Sequence, residues 1–246
     1  AERYKDEAWI GGYDLINEPN INFTGKNPNG TDEMSNAPLW KLQREITEAI
    51  RTVDKKHIIF LEGNGWGNNY NGLTPLWDDN LVFSFHKYWN YNDDNTLKFA
   101  LDLREKHNAP IWLGETGENS NVWFTELIQL LDKHNIGYAF WPMKKIDNIA
   151  GITNVKTTPE YERLLNYWKN GGEKPSKDYA RKALLQIADN YKLNNTEIKR
   201  DVIDAMFRQV TDASSKPFKN HQVPGRIFAS EYDLGRMGSA YKDNDF

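Results

Sequence analysis

Short apolar runs alternate along the chain with stretches in which apolar residues recur every three or four positions, and glycine, asparagine or proline closes most runs. The runs read as strands and the periodic stretches as helices. A first strand over 13–17 ends in Leu15, Ile16 and Asn17 and is stopped by Pro19, which has no N–H to give a ladder. A polar loop over 21–36 follows, and then Leu39, Ile46, Ile50 and Val53 lie at helical spacing. Residues 57–62, 81–86, 109–115 and 137–141 read as four further strands. Residues 96–107, 122–134, 158–169, 178–191 and 196–210 read as helices, the third of these closing at Gly171-Gly172 as a C-cap would. Five strands separated by helical crossovers predict parallel pairing and an α/β class.

The strand ends bring in the chemistry. Glu18 and Glu115 both fall at the carboxyl end of a predicted strand, where enzymes built on parallel sheets and barrels place their reactive groups. Two such glutamates are what glycoside hydrolysis requires: an acid to protonate the leaving oxygen and, in the retaining mode, a carboxylate about 5–5.5 Å away to attack the anomeric carbon. Glu45, Glu48, Asp102 and Glu162 fall in helical segments and read as solvated faces. Glu62 also ends a strand and reads as a structural neighbour or a subsite residue. Glycines 63, 65 and 67 free a loop to present Trp66, and with Tyr70, Trp77, Trp89 and Tyr91 it gives one rim of post-strand loops the aromatic character of sugar subsites, each also readable as packing.

Composition narrows the classes. A chain of 246 residues, 39% of them hydrophobic, can bury the core of one large domain or one and a half. A net charge of -4 with both signs mixed along the chain carries no nucleic-acid signature. Without Cys there are no disulfides or thiolate metal sites, and the five His show no HExxH spacing, so no metal or cofactor is expected. No apolar run is long enough to span a membrane.

Asn17-Glu18-Pro19, His86-Lys87-Tyr88 and Leu113-Gly114-Glu115 together resemble the family 5 glycoside hydrolases, the cellulase family of a barrel clan with its two carboxylates on strands four and seven. The resemblance covers residue 9 to about 170. It implies a (β/α)8 TIM barrel, truncated so that strands four to eight are present and about three βα units are expected ahead of the first strand. By the same resemblance Glu18 is the acid/base and Glu115 the nucleophile. Asn17 contacts the sugar 2-hydroxyl, His86 lines the cleft, Tyr88 sits beside the nucleophile and Trp141 is the platform for the sugar at the cleavage point. Where family members follow that Trp with small or polar residues, Pro142-Met143-Lys144-Lys145 stands here.

The implied activity is a retaining endo-β-1,4-glucanase acting on polysaccharide as a monomer when full length, with β-mannanase, xyloglucanase and exo-β-glucanase as alternatives and a non-catalytic sugar-binding barrel as a further one. Secretion or cell-surface display follows only from where polysaccharides are met. Beyond a barrel domain over 1–210 and a polar linker over 211–222, residues 223–246 resemble the opening strands of a family 6-like carbohydrate-binding module, a β-sandwich. Phe228 and Ser230 stand where such modules carry the acidic residues of a structural calcium, so that ion is not expected.

Overall fold

Five short strands lie side by side in the order in which the chain makes them: β1 (Gly12–Asp14), β2 (Ile58–Glu62), β3 (Leu81–Lys87), β4 (Ile111–Thr116) and β5 (Gly137–Phe140). The structure is a computed structural model, and it describes residues 1–25 and 27–242. The pairs from β1 to β4 are parallel, as expected of strands joined by crossovers that return the chain to the same end of a sheet. Every residue of β3 is buried, which is why its Leu-Val-Phe-Ser-Phe run is nearly continuous rather than alternating. Ile59, Leu61, Phe83, Phe85 and Leu113 lose essentially all contact with solvent and form the core of the sheet.

The chain divides into two compact units, residues 1–116 with 130–139, and residues 117–129 with 140–246. In the first, helix Ala37–Arg51 starts at a first-turn proline and buries Leu39, Trp40, Gln43 and Thr47 along one stripe. Helix Asp94–His107 begins where the Asp93 side chain accepts from the Thr96 N–H, and it ends at Asn108 in the left-handed conformation. Its start lies two residues ahead of the predicted one because the cap, not the first apolar residue, sets it.

The amino end of β2 is braced by polar contacts. Asp54 accepts from the Tyr13 hydroxyl at 2.7 Å and from the His57 ring at 2.6 Å, and Arg51 grips Asp78 with two bonds of 2.6 and 3.0 Å. Burial by itself would raise the Asp54 carboxyl, but the Tyr13, Lys56 and His57 donors outweigh it and hold the group well below the usual carboxylate range.

The second unit contains a small sheet that the apolar pattern does not predict, with β6 (Lys144–Ile146), β7 (Thr153–Val155) and β8 (Glu197–Ile198) in that order. Helices Pro159–Asn170 and Lys177–Asn190 are capped by the Thr158 and Ser176 side chains. The single helix expected over 196–210 is instead Arg200–Met206 and Arg208–Thr211, broken at Phe207.

The segment expected to open a β-sandwich contains no strand among its described residues. A single antiparallel bridge joins Lys216 to Leu234, and Arg236 donates to the carbonyls of Gln209 and Val210 at 2.6 and 2.9 Å. Two strands without a third to pair with are marginal in water, and here side-chain donors take the place of a ladder. The same contacts span the expected linker, since Arg208 donates to the Ser214 carbonyl. Residues 243–246 of that expectation and Lys26 of the 21–36 loop lie outside the described residues.

The burial of Phe83, with Tyr70 and His107 packed edge-on against its ring at 5.5 and 5.4 Å, sets a test. Phe83→Ala should cost about 3–5 kcal/mol in chemical denaturation, because a cavity opens in a strand buried on both faces. A loss under about 1 kcal/mol would mean that the sheet core is not packed as described.

Candidate active site

β1 is shorter than its apolar pattern suggests. Leu15 still donates to the Phe60 carbonyl at 3.3 Å, after which the chain leaves the sheet, so Asn17 and Glu18 lie beyond the strand rather than on its last rung. Glu18 then adopts φ +48°, a left-handed conformation that a side chain with a Cβ takes only under constraint. Its backbone N–H donates to Glu62 Oε2 at 2.7 Å, and Glu62 is the last residue of β2.

His86 stands at the centre. As an imidazolium it donates from Nδ1 to Glu18 Oε1 at 2.9 Å, with Glu115 Oε2 3.3 Å from the same nitrogen, and Nε2 faces Glu62 Oε1 at 3.1 Å. A register irregularity puts it there. Phe85 pairs with Leu113 while His86 pairs with Glu115, so Gly114 is the extra residue of a bulge on β4. A Cβ at Gly114 would come within 2.2 Å of the buried Ser84 hydroxyl, so only glycine fits between Leu113 and Glu115. On the far side of Glu115, the Tyr88 hydroxyl donates to Oε1 at 2.6 Å. The loop bearing Tyr88 is tied down by the buried Lys87 ammonium, which donates to the Asn90 and Tyr91 carbonyls at 3.1 and 2.8 Å.

The electrostatics follow from this crowding. Burial by itself would lower the His86 ring, but the bonds to Glu62 and Glu18 and the nearby Glu115 charge overcome it and raise the ring from 6.5 to about 9. Burial and the Glu115 hydrogen bond push the Tyr88 hydroxyl well above its ordinary value, so it remains a donor. Asp14, exposed at the end of β1, has its carboxyl drawn upward by partial desolvation against the sheet and by the Glu62 carboxylate opposite it. Glu18, His86 and Glu115 are the one group of metal-ligating side chains among the described residues whose ligand atoms all lie within 4.8 Å of one another.

The site occupies the carboxyl end of a parallel sheet, and residues 1–146 match the family model for Cellulase (glycosyl hydrolase family 5). The chain belongs to glycoside hydrolase family 5. Among similar curated proteins, an endoglycoceramidase of Cyanea nozakii is 26% identical over 58% of this chain and 31% of its own length. Endoglucanase C of Acetivibrio thermocellus is 24% identical over 68% of this chain and 62% of its own. The chain thus spans from about a third to 62% of the length of these relatives. Among solved structures, Thermotoga maritima Cel5A superposes with a TM-score of 0.46 at 20% identity, covering 61% of this chain and 57% of that one. Family 5 membership and the parallel sheet make the first unit part of a (β/α) barrel.

Of the residues singled out from the family 5 resemblance, Glu18, His86, Tyr88 and Glu115 are brought into contact with one another. Asn17 adjoins Glu18 and is exposed. Trp141 follows β5, is 58% exposed and belongs to the second unit. Trp66 is held outward by left-handed backbone at Gly65 and at its own position, and it lines an open groove of about 560 Å³ with Tyr70, Phe99 and Asp102. None of the clustered glutamates lines that groove. Tyr70 and Trp77 are packing residues: Tyr70 stacks on Trp40 and shares its one hydroxyl proton between the Leu61 and Ser84 carbonyls, and Trp77 donates to Thr47. Trp89 is 75% exposed, its ring stacked beside Tyr88 with centroids 6.4 Å apart. Glu62 is the residue the sequence underrated; the signal was its position at a strand's carboxyl end, the same as that of Glu115.

The raised His86 has a consequence for stability. Its folded value exceeds the unfolded one, so its contribution is complete below pH 6.5 and is lost as pH rises through 9. The unfolding free energy should therefore fall between pH 6.5 and 8, and His86→Gln should flatten that slope. Asp14 acts in a lower window, whereas the buried Lys87 ammonium, lowered from 10.5 to about 8, acts with the opposite sign above about pH 8, so the His86 slope is read between pH 6.5 and 8. An unchanged slope in His86→Gln, measured by denaturant titration across the pH series, would refute the assignment.

Proposed function

We propose that this chain carries the catalytic carboxylates of a retaining glycoside hydrolase acting within β-linked glucan, with Glu18 as acid/base and Glu115 as nucleophile. The observation that carries the reading is that both carboxylates converge on one ring nitrogen, Glu18 Oε1 at 2.9 Å and Glu115 Oε2 at 3.3 Å from His86 Nδ1, which favours the close spacing of a retaining pair. Inverting enzymes hold their carboxyls about 6.5–9.5 Å apart to admit a water, and retaining ones about 5–5.5 Å apart. Glu115 attacks the anomeric carbon while Glu18 gives its proton to the departing glycosidic oxygen, leaving a glycosyl ester on Glu115. Glu18 then takes a proton from water, which displaces Glu115 with net retention. The Tyr88 hydroxyl, 2.6 Å from Glu115 Oε1, orients the nucleophile and takes up part of its charge as the ester breaks. His86 keeps a positive charge beside both carboxylates.

Asn17 is assigned to the sugar 2-hydroxyl and Trp141 to the sugar platform, on the family's pattern, with Trp66 at an outer subsite. Trp89, exposed and stacked against Tyr88, offers a further ring face for a sugar. The relative named an endoglucanase favours β-1,4-glucan, and those named endoglycoceramidases make a β-linked glycan on a lipid the second reading. Mannan, xyloglucan and exo-acting chemistry belong to the same arrangement of carboxylates. A barrel retained only for binding sugar would have no need to preserve both glutamates, and both are present and paired. Polysaccharide substrates place the full-length enzyme outside the cell or on its surface, working as a monomer.

Replacement of each glutamate separates the roles. Glu115→Ala should abolish glycosyl-enzyme formation, with azide restoring turnover to a product of inverted configuration. Glu18→Ala should lose about 10²–10⁴-fold on polysaccharide but far less on aryl glycosides, whose leaving groups need no proton. Equal loss on both substrates in both variants, without azide rescue, would refute the assignment.

A further inference from the structure

We propose that Glu62 is a positioning residue of this site, its buried carboxylate holding the Glu18 backbone in its left-handed turn with one oxygen and facing the distal nitrogen of His86 with the other. The proposal rests on the catalytic reading of Glu18 and Glu115 and extends it to a third glutamate. Glu62 is 1% exposed, and a carboxylate so buried persists only when its oxygens are matched by donors or cations. Its Oε2 accepts from the Glu18 N–H at 2.7 Å, and its Oε1, without a hydrogen-bond donor, is in ion-pair contact with His86 Nε2 at 3.1 Å, so it joins the chain turn that aims the acid to the ring that bridges acid and nucleophile.

The surroundings are built around this carboxylate. The Gln43 side-chain amide donates to the Glu62 carbonyl at 2.7 Å and fixes its backbone. Gly67 leaves the space above it, since a Cβ there would stand 3.3 Å from Glu62 Oε2 and 3.7 Å from the His86 ring. The charged groups facing His86 are Glu18 beyond β1, Glu62 on β2 and Glu115 on β4, with Asp14 on β1 interacting both with Glu62 and with the ring itself. Of the three glutamates Glu62 is the most deeply buried.

Substitution by glutamine retains an oxygen for the Glu18 N–H but turns an amide donor toward His86 Nε2. The ring must then give up that proton or turn away, and the cation between Glu18 and Glu115 is lost at neutral pH. Removing the charge on β2 should therefore change the protonation of His86 on β3, the register partner of Glu115, an effect that a merely structural glutamate would not have.

The test compares Glu62→Gln and Glu62→Asp with wild type in the full chain, using aryl β-cellobioside and β-glucan kinetics across pH and ¹⁵N NMR of the His86 ring. Glu62→Gln should lower kcat at least about tenfold with KM within about twofold, and bring the His86 midpoint down from about 9. Glu62→Asp keeps the charge on a shorter arm, so the His86 midpoint should stay near that of wild type while kcat still falls. A Glu62→Gln protein that only melts earlier, with the His86 midpoint and the alkaline limb of the rate profile unchanged, overturns the proposal. Should Glu62→Gln not fold, Glu62→Asp decides: wild-type kcat overturns it, and a tenfold loss at an unchanged melting temperature supports it. If wild type cleaves no β-glycoside, the catalytic reading fails, whereas the His86 midpoint in Glu62→Gln still decides whether Glu62 governs that ring.

Discussion

A histidine buried among three glutamates is the constraint on which the rest of this site depends. Taking His86, Glu62 and Glu115 out of water, with Glu18 partly so, is costly, and the cost is met only if each charge finds a partner close by. His86 meets that condition from both ring nitrogens, toward Glu18 and Glu115 on one side and Glu62 on the other. Glu115 accepts from Tyr88 and Glu62 accepts from the Glu18 N–H through Oε2, leaving Glu62 Oε1 to its ion-pair contact with the His86 ring. A network closed in this way has little freedom to rearrange, which is the pre-organisation that charge-developing chemistry requires.

Backbone irregularity is what makes the closure geometrically attainable. Regular parallel strands would place His86 beside Gly114, and the bulge at that glycine advances Glu115 into register instead. Regular continuation of β1 would carry Glu18 along the strand direction, and the left-handed turn at φ +48° brings its N–H onto Glu62. Both departures sit at the carboxyl ends of strands and both are held by side chains of the network. The polar brace around Asp54 at the opposite end of β2 has a separate function, anchoring the sheet where no chemistry is performed.

Family membership and site geometry address different questions. The match over residues 1–146 establishes what kind of protein the chain belongs to, while identities of 24–26% to differently named relatives leave the glycan to the loops. Those loops carry the aromatic residues, and they divide into rings absorbed by packing, as with Tyr70 and Trp77, and rings left bare, as with Trp89. Trp66 falls between the two, half-open in a groove of its own.

The amino-acid sequence alone was sufficient for the strands of the first unit and their parallel order, and its motifs name Glu18, His86, Tyr88 and Glu115, which the fold brings into contact. These were legible because buried parallel strands are continuous apolar runs and because short motifs at their ends are local in the chain. The sequence did not disclose the extent of β1, the small β6–β7–β8 sheet or the break at Phe207, whose pairings involve residues far apart or too few to make a period. It also suggested sandwich strands at the carboxyl end where the described residues form only isolated bridges. Glu62 is the sharpest case: by position it was one more strand-terminal acid, and only the folded chain put its two oxygens against the Glu18 amide and the His86 ring. Local pattern determines which segments are buried, whereas the partners of a buried charge are set by register and turn geometry across three strands, and no stretch of sequence contains that information by itself.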